Sequence, residues 1–296
     1  MRERIGLPEN THIGGVHLQI RDLGRSLAFY RDLLGFREVG REGTTVLLSA
    51  PGSRSPLLAL TERRDARPKP PRTTGLYHVA IRVPTRRDLA RTFRRLIEAE
   101  WPFHGFSDHG VSEALYLPDP DGNGLEIYRD RPRAQWPWRE GQLAMVTRPL
   151  DVAGLLQEGA SEPWSGLPPE TDIGHVHLHV ADLDEAEAFY SGILGLAVTQ
   201  RNYPGARFFA AGGYHHHVGT NTWAGRGAPP PPPDAVGLRA FSLVVPDEEA
   251  WQGIRERARR AGWLVLEGSR AFFLRDPSGN GVWVSRGDGF EGEPPE

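Results

Sequence analysis

Three side chains in this 296-residue sequence have the types and spacing to hold one metal ion. His78 and His175 stand at the same point of a repeated strand template, and Glu126 follows the Gly122-Asn123-Gly124 turn in the segment that His78 opens. Two imidazoles and one carboxylate leave three coordination positions free. That suits Fe(II), or alternatively Mn(II), binding a substrate and a small molecule together, and suits zinc less well. Cysteine is absent, which excludes disulfides, iron–sulfur clusters and thiolate nucleophiles and leaves only His and carboxylate as ligands. Taken singly, a strand histidine is more often a hydrogen-bonded core residue, and a Glu after a turn is usually solvated. The repeat shifts that balance, because the matching points of the other two modules carry Gly15, Ala240 and Trp283. One working site and one degenerate copy would leave this asymmetry.

The elements that must position these groups repeat along the chain. Gly14-Gly15-Val16-His17-Leu18-Gln19-Ile20, leading to Phe29-Tyr30, matches Gly174-His175-Val176-His177-Leu178-His179-Val180, leading to Phe189-Tyr190. A second pair opens at Gly75 and Gly237 and closes with Asp-Pro, Gly-Asn-Gly and a short apolar strand, starting at Asp119 and Asp276. Each segment reads as a strand of period two, a helix and further strands. Leu89, Phe93, Leu96 and Ile97 recur at helical spacing and form one buried stripe. On the strand, Val176, Leu178 and Val180 point toward the helices while His175, His177 and His179 point away. The expected fold is α+β: four βαβββ modules forming two open barrel- or cup-like domains. Residues 12–131 and 172–286 would be those domains, with 132–171 as a Pro-, Gly- and Trp-rich linker holding a short helix at 152–157, and 287–296 as a mobile tail. Pro229 to Pro233 cannot enter a sheet or helix interior and is expected to be a stiff surface loop.

Composition narrows the function classes. Hydrophobic residues make up 39% and charged residues 25%, an ordinary globular balance. The 35 basic and 38 acidic side chains leave a net charge of −3, so no overall electrostatic drive toward nucleic acid or anionic lipid exists. The Arg-rich stretches at Arg86–Arg95 and Arg255–Arg260 are interleaved with core positions and read as exposed helix faces. No leader-like or membrane-spanning apolar run is present, so a cytoplasmic protein with no nucleic-acid or membrane partner is expected, assembled as a homo-oligomer.

The repeats resemble the vicinal oxygen chelate superfamily, which includes glyoxalase I, fosfomycin-resistance and bleomycin-binding proteins and extradiol dioxygenases, over residues 12–129 and 172–285. Within it, extradiol enzymes share a signature of His, an apolar residue with Tyr, Pro, a Gly turn and the ligand Glu. Here His109 is followed by Leu115-Tyr116, Leu117-Pro118, Asp119-Pro120, Asp121-Gly122 and Glu126, with Ser107 as the one departure. The segment Gly212 to Trp223, with Thr11-His12-Ile13-Gly14 and Gly75-Leu76-Tyr77-His78, resembles the bacterial catechol-2,3-dioxygenases of Bacillus type.

The resemblance implies Fe(II)-dependent meta-cleavage of a catechol by O2, yielding a 2-hydroxymuconic semialdehyde-type product, with His78, Glu126 and His175 as ligands. It implies that His109 and Tyr116 hydrogen-bond the substrate oxygens and that a histidine of the Tyr214–Val218 stretch is the acid–base. Registering Val218–Trp223 on Asn123–Tyr128 places His215 and His217 on the inward face, which selects His217; a slip of one residue would select His216. His177 and His179 share the face of His175 as ligand-orienting groups or plain lining. Because the ligands come from both halves, modules two and three must pair with each other. The rival readings are a glyoxalase-type isomerase on Ni or Zn, which normally has a second carboxylate where His175 stands, and a metal-free protein that sequesters an aromatic molecule.

Overall fold

The computed structural model describes residues 6–158, 163–287 and 292–295. Its main strands form two curled eight-stranded sheets, each assembled from both sides of the 132–171 segment. In one, Gly75–Arg82 pairs antiparallel with Asp172–His179; in the other, His12–Ile20 pairs antiparallel with Gly237–Val244. Modules two and three therefore share a sheet, the arrangement that a common ligand set requires. Modules one and four share the other.

Period-two alternation sorts each sheet into two faces. Val79, Ile81, Leu125, Ile127, Val176 and Leu178 enter the large core together with Leu89, Phe93 and Leu96 of the helix Arg86–Glu98. Each such fully buried side chain favours the fold by about 1.5–3 kcal/mol over its exposed state. Thr85 caps that helix, its side chain accepting from the Asp88 N–H. The histidines and Glu126 occupy the opposite face.

Two bulges refine the alternation. Pairing between the central strands skips Gly174 and Tyr77, so each is an extra residue on its strand. At Gly174 a Cβ would lie 1.8 Å from the Tyr128 hydroxyl, so only glycine fits. The bulge at Tyr77 brings its ring onto the same face as His78, and the ring centroids are 5.0 Å apart. The second sheet repeats both irregularities, at Gly14 and Arg239.

A different set of bonds ties the modules within each half. After each odd module's first helix, Ala28–Leu33 and Ala188–Ile193 form a turn of π-helix that presents a tyrosine. Tyr30 donates to Asp119 at 2.9 Å, and Tyr190 donates to Asp276 at 2.9 Å. Each acceptor lies in the Asp-Pro turn of the following module. Strand pairing thus joins one to four and two to three, while the tyrosines join one to two and three to four. The helix anticipated in the linker runs from Val152 to Glu158. Of the tail expected to be mobile, residues 288–291 and 296 lie outside the described residues, and the carbonyls of Pro294 and Pro295 accept from Arg239 and Arg275.

Candidate metal centre and chamber

One row across the sheet builds the centre. Tyr116 stands opposite Glu126, Glu126 opposite Ala80, and Ala80 opposite His175. The Ala80 methyl leaves space above it, so the long side chains on both sides can lean together. His78, two residues along the same strand, completes the triangle. The result places Glu126 Oε2 3.0 Å from His78 Nε2 and 3.1 Å from His175 Nε2, all three residues buried. At the corresponding points of the second sheet the row reads Phe273, Trp283, Ser242 and Gly15, with Ala240 in place of His78. There Trp283, Phe273, Ala240 and Ala271 pack into a small apolar cluster, and the row carries neither His nor carboxylate.

The donor set fits a divalent cation. Burial alone would raise the Glu126 carboxyl, but His175 and His78 hold it well below the usual range, so it stays ionised. Burial lowers His175 to about 4 against the pull of Glu126, so that ring is neutral with a lone pair to give. His78 Nε2 approaches the carboxylate without the alignment of a hydrogen bond and, among the described residues, has no hydrogen-bond partner. A buried anion flanked by imidazole nitrogens, one of them without a hydrogen-bond partner, is a donor set that a divalent cation would satisfy.

The centre opens into a cavity of about 390 Å³ lined by His78, Glu126, Tyr116, His109, His177 and His216, with Tyr77, Tyr203, Phe208 and Trp223 toward one side. Tyr77 and Trp223 are half-exposed, and their rings meet edge to face at 5.3 Å. His109 and Tyr116 engage each other: the Val146 carbonyl accepts from His109 Nδ1 at 2.7 Å, and His109 Nε2 lies 2.7 Å from the Tyr116 hydroxyl. A carbonyl only accepts, so a neutral His109 receives the Tyr116 hydrogen at Nε2. Burial and the nearby Glu126 charge push the Tyr116 phenol well up, which keeps it a donor. His179 lies beside the chamber, its Nδ1 2.7 Å from the Asn221 side-chain oxygen.

The expected inward orientation of His217 requires correction. The strand begins only at Val218, and the three histidines lie on a loop after Gly212 and Gly213, both at positive φ, where alternation does not apply. His217 is absent from the chamber lining; its Nδ1 accepts from the Ala211 N–H at 3.2 Å and its ring packs on Tyr214. His216 lines the chamber instead, its ring centroid 4.0 Å from that of His175. Met145 and Thr147, from the segment read as a linker, also line the chamber, and neighbouring Val146 orients His109. No periodicity signals this, since Pro, Gly and Trp in a connector carry no facing information.

Comparisons with known proteins agree with the geometry. A sequence profile of the Glyoxalase/Bleomycin resistance protein/Dioxygenase superfamily matches residues 11–127 and 172–284. The chain is 47% identical over 273 residues to catechol-2,3-dioxygenase of Bacillus subtilis (strain 168), covering 91% of this chain and 95% of that protein. It is 25% identical over 197 residues to the manganese-dependent 2,3-dihydroxybiphenyl 1,2-dioxygenase of Geobacillus genomosp. 3, covering 65% of this chain and 56% of the other. Among solved structures, a putative dioxygenase from Bacillus subtilis superposes with a TM-score of 0.63 at 14% identity, covering 93% of this chain and 84% of that one. Glyoxalase I from Zea mays superposes with a TM-score of 0.57 at 14% identity, covering 93% and 92%, so both structures share the fold. With two profile matches spanning most of its length and paired sheets of this architecture, the chain belongs to the Glyoxalase/Bleomycin resistance protein/Dioxygenase superfamily.

Proposed function

We propose that this protein is an extradiol dioxygenase that opens a catechol ring beside the diol with O2, at Fe(II) or, as the second choice, Mn(II), held by His78, His175 and Glu126. The observation that carries the reading is the buried triad at the wall of an aromatic-lined chamber. Identity of 47% to a catechol-2,3-dioxygenase supports it.

Bound there, the ion would lower the proton affinity of the catechol hydroxyls and hold ring and O2 within reach of each other. The chain's own groups do the rest. Tyr77, Phe208 and Trp223 border the space for a flat ring and shed water from it. Tyr116, already a donor, turns its hydroxyl hydrogen from His109 to a substrate oxygen, and the Val146 carbonyl keeps His109 in place behind it. His216 Nε2 takes a catechol proton and later returns it to the reacting oxygen. Among the described residues lining the chamber none is Lys or Arg, so an anionic ring substituent finds no counter-ion. Catechol itself and catechols with uncharged substituents are the substrates this lining favours.

The isomerase reading lacks its second carboxylate, since His175 occupies that point. A metal-free sequestering protein has no use for an ionised carboxylate buried against two imidazoles. The test is to load the protein with Fe(II) or Mn(II) without air, add catechol, admit O2 and follow oxygen uptake with the yellow ring-opened product. One O2 consumed per catechol is expected. Metal-loaded protein that leaves every catechol colourless overturns the reading, and glutathione-dependent loss of methylglyoxal hemithioacetal replaces it with the isomerase.

A further inference from the structure

Behind His216 lies a chain of groups that the reaction chemistry does not directly use. His216 Nδ1 is 2.8 Å from His215 Nδ1, and His215 Nε2 is 2.9 Å from Asp130 Oδ1. The His215 side chain is fully buried, and Asp130 is near the surface, with about a fifth of its side chain exposed. Asp130 is fixed in turn: Arg82 donates to its Oδ2 at 3.0 Å, and the Tyr214 hydroxyl donates to it at 3.0 Å while accepting from Tyr128 at 2.7 Å. Burial would raise Asp130, but His215 and Arg82 hold it below the usual carboxylate range.

We infer that Asp130 and His215 are positioning residues that set the tautomer of His216, leaving its Nε2 bare to act as a base in the chamber. The inference rests on the dioxygenase reading for its consequence but not for its geometry. An ionised carboxylate only accepts, so His215 Nε2 carries the hydrogen. With one hydrogen per ring, His215 Nδ1 is then a lone pair. A contact of 2.8 Å between two ring nitrogens has room for one hydrogen, which falls to His216 Nδ1. Nε2 of His216 is left without one. Had Asp130 been a donor, every assignment would reverse, and an N–H would occupy the position where a proton must be accepted. A carboxylate thereby selects the basic nitrogen of a ring two residues removed from it in the hydrogen-bond chain.

The test reads tautomers directly. In the full-length chain labelled with 15N-histidine and loaded with diamagnetic Zn(II), long-range 1H–15N correlation spectra should show His216 as the Nδ1–H form and His215 as the Nε2–H form. His216 as Nε2–H, or His215 carrying both hydrogens, overturns the inference from the wild-type spectrum alone. Asp130→Asn should flip both rings and lower kcat for ring opening by about 10²–10⁴-fold, the usual worth of a general base, with KM and metal content little changed. Asp130→Glu should restore the wild-type tautomers and most of the rate. Unchanged tautomers in Asp130→Asn overturn the inference. A wild-type protein that opens no catechol defeats the dioxygenase reading, while its spectrum still decides the tautomers.

Discussion

Substituting the same point of the two sheets should produce opposite phenotypes. Trp283 and Glu126 hold equivalent positions, each closing the row of its own cup. Trp283 is 4% exposed and packs on Phe273 at 5.1 Å. Trp283→Ala leaves a cavity costing about 3–5 kcal/mol, which lowers Tm by roughly 6–20 °C at about 2–4 °C per kcal/mol for a chain of this size. Glu126→Ala removes a ligand and leaves the other cup intact. Wild-type protein at about 100 times the metal Kd gains about 2.7 kcal/mol, a Tm rise of roughly 5–11 °C on the same scale. The assay is thermal unfolding with and without Mn(II) or anaerobic Fe(II), with bound metal counted after desalting. Trp283→Ala should melt early yet keep the metal-dependent rise, and Glu126→Ala should lose the rise and the bound metal. Equal metal content in the two variants, or metal loss confined to Trp283→Ala, would refute the assignment of the centre. Trp283→Phe is the milder companion if the alanine variant does not accumulate.

Three further outcomes follow from single residues. A Cβ on Gly124 would sit 2.0 Å from the Tyr77 carbonyl oxygen, so Gly124→Ala must push two parallel strands apart; a loss of about 3 kcal/mol in urea unfolding and weaker metal retention are expected, since Glu126 lies two residues on. Tyr116→Phe removes a donor aimed at a charged substrate oxygen, worth about 1.5–3 kcal/mol; steady-state oxygen uptake should show kcat/KM lower by roughly 10–160-fold with metal content unchanged. Burial and Arg239 lower His17 from 6.5 to about 3, so its neutral form stabilises the fold above pH 6.5 and that contribution is lost as pH falls toward 3. Between pH 6.5 and 4.5 the loss is about 2–3 kcal/mol, and His17→Gln should flatten the stability–pH curve by that amount. Asp119, raised by burial to about 6, works in the opposite sense over the same window, so the difference between variant and wild type is the quantity to measure.

What could be read from residue order alone was whatever repeats or alternates. The meeting of His78, His175 and Glu126 was legible because a module repeat lines them up, and the facing of His175 and His177 because a regular strand alternates. Cross-pairing of modules two and three followed from the ligands' locations. His217 was misplaced because alternation was extended past the first residue of a strand into a glycine-led loop, where each φ, ψ pair is set individually. Met145, Val146 and Asp130 were invisible for another reason. Their roles come from contacts across long sequence separations, Val146 to His109 and Asp130 to His215, and neither local periodicity nor composition encodes such pairs.

The interlacing of the four modules bears on how the chain is made. A ribosome releases His78 and Glu126 well before His175, and the first half emerges with two central strands, His12–Ile20 and Gly75–Arg82, each paired on one side within that half and lacking its second partner, which is not yet synthesised. Those raw sheet edges invite wrong partners, and only the late strands Asp172–His179 and Gly237–Val244 can cover them. Assembly of His78, Glu126 and His175 into one cluster must therefore await translation of the second half, and a nascent chain stalled at the connector would be a sticky half-protein without that cluster.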